Sequence, residues 1–382
     1  METRKLYYEN CRLAEFEAAV LSCTETKDGY DVVLNATAFY PEGGGQAADV
    51  GTLGGVHVRH TREQGETVVH ECDSPLAVGQ TVVGRIDYAR RFDLMQQHTG
   101  EHIVSGIVSR RYGYHNTGFH IGGDVLTVDF DGVIPAEDIP AIEAEANAAV
   151  WQNIPVKCWV PCPSELPNVH YRAKRELPWP VRIVEIPDFD CCACCGIHVA
   201  ATGEIGVIKL FGTVGFRGGT RMEMACGERA FDILSIAFAQ NRLVSQAFSA
   251  QITATAEAAR QANEALARQK IRIGELEKRL FAITARGYAG AGDVLHFEAG
   301  LEPAGIRDLA DAIAETSGGT AAVFSGSDDA GYGYCLAARQ GDLRQLGKAM
   351  TQKLNGRGGG KPMFQQGRVQ AARKEIEAFF GK

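Results

Sequence analysis

The chain has 382 residues, 45% hydrophobic and 23% charged, an ordinary balance for a globular protein with room for two or three cores. Its net charge of −8 excludes a generally basic, nonspecific nucleic-acid binder, and no run of about eighteen apolar residues is present to cross a membrane. Eleven cysteines, an odd and clustered set, fit reduced thiols and metal ligation better than a secreted disulfide framework. The opening Met1-Glu2-Thr3-Arg4-Lys5 has no signal-like apolar core, so a cytoplasmic protein is expected.

Residues 1–90 alternate short β-rich runs (Tyr30–Leu34, Thr67–His70, Thr81–Gly84) with Gly, Asp and Pro turns, which predicts a small β-barrel or sandwich. Within them lies Phe39-Tyr40-Pro41-Glu42-Gly43-Gly44-Gly45-Gln46, where Gly43, Gly44 and Gly45 let backbone approach a substrate closely or simply make a tight turn. Residues 91–226 mix a helix after Arg90-Arg91, a strand at Val125–Phe130, a helix at Ile139–Gln152 and β segments near Val156, Val181 and Ile205–Leu210. That mixture is an α+β domain. Residues 227–286 lack proline and are rich in Ala, Arg, Gln, Glu and Leu, which predicts one long helix serving as a spacer or dimerisation element. Leu266, Ile273, Leu276 and Leu280 recur every three or four residues, enough for one apolar stripe.

Residues 287–382 combine a strand at Thr320–Ser325, a helix at Leu343–Leu354 and a Gly356–Pro362 loop in an α/β glycine-rich domain. Residues 335–382 hold ten Lys/Arg against three Asp/Glu, so a stretch of net +7 follows a body of net −15. Lys348, Lys353, Arg357, Lys361 and Arg368 are the cations suited to tracking a phosphate backbone. A solvated helix face would explain the same charges.

The most informative motifs are His98-Thr99-Gly100-Glu101-His102 and Cys194-Cys195-Gly196-Ile197-His198. Positions i and i+4 stack on one helical face, so His98 and His102 can aim at one ion, while Glu101 is turned by about 100° and reads as solvated. Three nitrogens and a thiolate suit Zn²⁺ better than Mg²⁺ or Ca²⁺. The cysteine register stays open on spacing alone, because Cys191 with Cys194, or Cys192 with Cys195, also reads as the CxxC of a structural zinc site.

Several of these motifs, in order, resemble the free-standing alanyl-tRNA editing proteins (AlaX type, long form), which are related to the editing and C-terminal parts of alanyl-tRNA synthetase. Phe39–Gln46 is similar to the family's FYPEGGGQ run, Gln96–His102 to its QQHTGxH run, and Gly118–Gly122 to its GFHxG run. Cys194–His198 looks like its CxGxH pair, and Gly318–Gly367 resembles the domain that synthetases share with some DHH-type phosphoesterases. The resemblance implies Zn²⁺ held by His98, His102, Cys194 and His198. It implies a recognition threonine at Thr37, with Gln46 and His120 positioning water. One departure stands out: synthetases usually carry CGGTH, where this chain has Cys195 and Ile197 in place of Gly and Thr.

The activity implied is hydrolysis of the ester on tRNA(Ala) mischarged with serine or glycine. Aminoacylation is not expected, nor is any membrane role, and a homodimer through the long helix or C-terminal domain is an available partner arrangement. The rival readings are a noncatalytic tRNA-binding module with structural zinc, and editing of Ser-tRNA(Thr). Phosphoesterase activity ranks last, for want of a carboxylate and histidine cluster in the C-terminal domain.

Overall fold

The computed structural model describes residues 2–173 and 179–381. Two compact units divide the chain, Met1–Arg242 and Leu243–Lys382. The expected 1–90 and 91–226 regions therefore share one unit, and the 227–286 region is divided between the two.

The first unit begins with strands β1 (Glu15–Thr26), β2 (Gly29–Leu34), β3 (Gly51–Leu53), β4 (Val56–Gln64), β5 (Thr67–Cys72) and β6 (Thr81–Ile86). They pair in the order β1-β2-β5-β4-β3-β6, and β6 pairs back onto β1 to close a barrel. Side chains alternate across a strand, so Phe16, Ala18 and Val20 of β1 point inward beside Val32, Leu34, Leu53, Val58 and Val82.

Helix α1 (Tyr88–Tyr112) follows, with the Asp87 side chain accepting the Arg90 N–H at 3.1 Å and Gly113 ending it at φ 72°. Every residue from Leu94 to Val108 is buried. A helix sunk this far must satisfy its polar side chains internally. Gln97 does so by exchanging two hydrogen bonds with the backbone of Cys226, at 2.8 and 2.9 Å, which docks α1 on a strand.

That strand belongs to a four-stranded sheet of β7 (Asn116–Ile121), β8 (Leu126–Phe130), β12 (Ile208–Phe216) and β13 (Gly219–Cys226), ordered β12-β13-β8-β7. Between them in sequence lie α2 (Ile139–Gln152) and a three-stranded sheet of β9 (Lys157–Trp159), β10 (Ile183–Ile186) and β11 (Asp190–Ala193). Met95, Ile103 and Ile107 of α1 share one core with Ile142 and Ala146 of α2 and with Leu126, Val128, Met222 and Met224 of the sheet.

The stretch read as one long helix is two, α3 (Gly227–Ala247) and α4 (Thr255–Arg286). Ser249 is left-handed at φ 49°, the Ser245 hydroxyl donates to the Ala250 carbonyl at 2.6 Å, and the β-branched Ile252 and Thr253 follow. A left-handed residue cannot continue a right-handed helix, and β-branched residues weaken one.

In the second unit β14 (Gly292–Phe297), α5 (Pro303–Ser317), β15 (Gly318–Ser327), β16 (Gly331–Ala337), α6 (Arg344–Lys353), β17 (Gly356–Lys361), β18 (Phe364–Val369) and α7 (Arg373–Phe379) follow α4. The sheet runs β14-β15-β16-β18-β17, with only β14 and β15 parallel. Ala321 and Val323 of β15 pack with α5 on one face, while Ala322 and Phe324 face Leu343, Met350 and Ile376 on the other. The glycine-rich segment expected as a loop is instead the edge strand β17. Glycine fits there because a Cβ on Gly358 would collide with the Tyr334 hydroxyl. Among the described residues no helix is long and apolar enough to cross a membrane.

Candidate metal centre

Helix α1 carries His98 and His102, and the turn after β11 brings Cys194 and His198 to them, with all four ligand atoms within 4.8 Å of one another. Of the clustered cysteines, Cys194 stands with both helix histidines and His198, while Cys192 groups with His102 and Asp190. Its Sγ lies 3.4 Å from His98 Nε2, close to the edge of a tetrahedron whose metal bonds are about 2.0–2.3 Å.

Each imidazole is oriented through its other nitrogen. His98 Nδ1 meets Gln46 Oε1 at 2.9 Å, His102 Nδ1 meets Asp190 Oδ2 at 2.9 Å, and His198 Nδ1 meets Thr99 Oγ1 at 3.2 Å. All three partners act as acceptors. Gln46 Oε1 also takes the Ile197 N–H at 3.2 Å, Thr99 gives its own proton to the Met95 carbonyl at 2.7 Å, and Arg172 forks onto Asp190 at 2.7 and 2.9 Å. Nδ1 is therefore the donor of each ring to its outer partner and Nε2 is turned toward the cluster, the arrangement that outer partners give metal-ligating histidines. His198 Nε2 is buried with no partner among the described residues, a cost that a bound cation would remove. Burial alone would raise the Cys194 thiol, but the imidazoles of His98, His102 and His198 hold it well below the usual thiol range. These four residues fit a divalent ion that accepts nitrogen and sulfur.

Gly196 is required by this packing, since a Cβ there would collide with the His98 ring at Cε1. The two departures from CGGTH divide: Ile197 is wholly buried in the core, whereas Cys195 lines a cavity of about 560 Å³ beside the cluster. His98, Glu101, His102, Asn116, Arg172 and Cys194 line the same cavity. Phe119 stacks on His98 with ring centroids 5.1 Å apart.

Of the other expected site residues, Gln46 comes directly to the cluster, and replacing it with leucine should weaken metal retention about 10–100-fold in competition with a chromogenic chelator. Gly44 lines both the 560 Å³ cavity and a neighbouring one of about 520 Å³, which Gly43 and Gly45 also line. His120 faces that second cavity with His60 and Arg62, because strand alternation sends it away from the side taken by Phe119. Gln46, the other residue expected to position water, lines this second cavity with His120.

Thr37 is also placed elsewhere. It is fully buried, bonded to His70 Nε2 at 2.8 Å and to the Phe39 N–H at 3.1 Å, and it does not line the cavity. His70 Nδ1 lies 3.0 Å from the Val32 carbonyl, so Nε2 is the acceptor for the threonine hydroxyl. Burial pulls His70 down from 6.5 to about 4. A buried neutral histidine contributes stability that is complete above its unfolded value and is lost as pH falls toward the folded one. Urea unfolding should therefore show a loss of up to about 3 kcal/mol between pH 6.5 and 4, flattened in His70→Gln.

Glu101 is not a solvated residue: it is only 4% exposed and accepts from the Ser105 hydroxyl and the Asn116 amide. Thr99 stands inside the His98–His102 run, whereas Asp190, Arg172 and Asn116 carry no motif of their own, and of these three Asp190 alone had a signal, standing directly before the cysteine run. Lys348, Lys353, Arg357, Lys361 and Arg368 are all exposed on the second unit, and Arg357 lies directly opposite Arg368 across β17 and β18.

Residues 2–90 match the model for tRNA synthetases class II (A), residues 181–223 that for the threonyl and alanyl tRNA synthetase second additional domain, and residues 290–381 that for the DHHA1 domain. The chain thus carries two segments similar to tRNA synthetase domains and one similar to the DHHA1 domain. An alanine–tRNA ligase of Thermofilum pendens is 33% identical across 96% of this chain, which spans only 42% of that protein. The alanyl-tRNA editing protein Aarsd1 of Danio rerio is 26% identical across 97% of the chain and 95% of its own length, and Aarsd1-B of Xenopus laevis is 29% identical across 98% and 96%. The chain is thus similar to alanyl-tRNA editing proteins over nearly their whole length, and to less than half the length of the alanine–tRNA ligase.

Proposed function

We propose that the chain is a trans-editing hydrolase that cleaves the aminoacyl ester of mischarged tRNA(Ala), chiefly Ser-tRNA(Ala) and also Gly-tRNA(Ala). The observation that carries this reading is the orphaned His198 Nε2, set among two other imidazoles and a thiolate on the wall of a substrate-sized cavity. His98, His102, Cys194 and His198 would hold Zn²⁺, which supplies Lewis-acid polarisation to an ester bound beside it. The chain's own groups do the positioning. Gln46, Asp190 and Thr99 fix the ligand rings, and Gly44 brings glycine-loop backbone to the cavity wall. Gln46 Nε2, buried without a partner, is a donor held at the same place. Such a second site is needed because a synthetase pocket cannot strongly reject an analogue that merely adds a hydroxyl.

In this reading residues 1–90 and 91–226 form the editing part, and residues 227–286 space or dimerise the chain. Residues 287–382 bind tRNA(Ala). Leu266, Ile273, Leu276 and Leu280 stand exposed on α4, an apolar stripe of the kind a second copy covers. Reversing Lys348, Lys353, Arg357, Lys361 and Arg368 to Glu should weaken tRNA binding and lower its salt slope by about 1 for each phosphate no longer neutralised. The preference for serine over alanine should be unchanged, as measured by filter binding across a salt series.

The deciding experiment is release of serine from Ser-tRNA(Ala) beside Ala-tRNA(Ala) and Ser-tRNA(Thr), with a chelator control. Chelator-sensitive loss of serine from tRNA(Ala) alone supports editing. Tight tRNA binding without release, at full zinc occupancy, would leave a binding module with structural zinc.

A further inference from the structure

Glu101 and Asn116 stand together on the cavity wall, 4% and 8% exposed, and neither is used by the metal centre or its outer partners. Glu101 Oε1 accepts the Ser105 hydroxyl and the Asn116 Nδ2, so the carboxylate receives only neutral donors. Among the described residues it has no ion pair. Of the basic side chains on the same wall outside the metal cluster, His115 bonds Asp131 at 3.1 Å, and Arg172 gives its hydrogen bonds to Asp190, so that its charge acts on Glu101 only from a distance and without a direct contact. Because a carboxylate can only accept, Asn116 must turn its amide nitrogen to Glu101. Its Oδ1 is then left buried with no partner among the described residues. A buried carboxylate without a cation, beside an orphaned carbonyl oxygen, is costly until a cationic donor arrives.

From this pairing we infer that Glu101 and Asn116 form an ammonium subsite, which admits aminoacyl esters with a free α-amine and turns away N-acylated ones, peptidyl-tRNA among them. The inference rests on the editing reading for the identity of the ester. A hydroxyl would satisfy Asn116 Oδ1 but leave Glu101 without its counter-charge, whereas one ammonium answers both. N-acylation removes the charge, takes away two donors and adds bulk beside these two buried side chains.

The test is calorimetric titration of the zinc-loaded full chain with 3′-deoxy-3′-(L-serylamino)adenosine, a stable amide, and with its N-acetyl form. The native protein should prefer the free amine by about tenfold or more, the range for hydrogen bonds to a charged group. In Glu101→Gln and Asn116→Ala that preference should shrink to within about threefold, through loss of free-amine affinity alone. Zinc content and circular dichroism verify folding, and Asn116→Ala decides by itself if Glu101→Gln does not fold. An undiminished preference in the folded variants, or none in the native protein, overturns the subsite. So does a Glu101→Gln protein that stops turnover yet keeps the native preference, which would make Glu101 a base and not an amine receptor. Failure of the native protein to deacylate Ser-tRNA(Ala) would overturn the editing reading, while a free-amine preference in the same preparation would still support the subsite.

Discussion

Cys194→Ala is expected to strip the metal and to cut deacylation of Ser-tRNA(Ala) by more than about a hundredfold, the most that loss of an outer partner alone produces. Removing Sγ leaves His98, His102 and His198 with their Nε2 atoms turned toward a gap, since every Nδ1 is already committed. Affinity for tRNA should stay within about twofold, because the cations proposed to hold the phosphate backbone lie in the other unit. Metal analysis, filter binding and serine release on one preparation check all three. Cys192→Ala and Cys195→Ala serve as controls: Cys192 groups with His102 and Asp190, but the Asp190 carboxylate is forked by Arg172, so its loss should leave the metal in place. Native turnover by a metal-free Cys194→Ala protein would end the metal-centred mechanism.

The separate strengths of local and long-range signals explain what was legible in the sequence. Strands with clear alternation, such as Thr81–Ile86, and the uninterrupted helix Ile139–Gln152 are fixed by local pattern and appear where expected. Helix α1 defeated the same logic at Glu101. The argument that one step of 100° leads to solvent holds for a helix lying on a surface, whereas α1 is buried all round from Leu94 to Val108. The cysteine register was open because Cys191, Cys192, Cys194 and Cys195 are equivalent by spacing. Only the long-range approach of α1 to the turn after β11 selects Cys194. Asn116 and Arg172 were invisible for the same reason: their roles are set by partners, Glu101 and Asp190, that are 15 and 18 residues away. Thr37 and His120 were placed by motif order, and motif order does not say which wall of a strand or barrel a side chain occupies. The glycines at 356–360 read as a flexible loop because glycine permits one, yet close pairing of β17 with β18 demands small residues equally well.

Arg91→Met should destabilise the first unit by about 3–5 kcal/mol, the cost of stranding one member of a buried ion pair. Arg91 and Asp49 have side chains 0% and 1% exposed. The guanidinium donates to Asp49 Oδ2 at 3.1 Å through Nε, to the carbonyls of Cys11 and Leu13 at 3.3 and 3.2 Å, and to that of Ala38. Asp49 Oδ2 also accepts the Tyr40 N–H at 2.6 Å, while Oδ1 has no partner among the described residues, so the carboxylate depends on a single oxygen for its compensation. This network ties the helix bearing His98 to Ala38 and Tyr40, which flank the glycine loop leading to Gln46. Loosening it should therefore be felt at the metal as well as in the barrel. Urea unfolding of Arg91→Met beside the double variant Arg91→Met/Asp49→Leu separates the two contributions. Removing both charges should recover much of the lost stability, because no buried charge is then left alone. Chelator competition on the double variant then reads what the network does for Gln46 apart from folding: weaker metal retention at recovered stability would mean that the ion pair holds the loop in register with His98, whereas native retention would confine its role to the barrel.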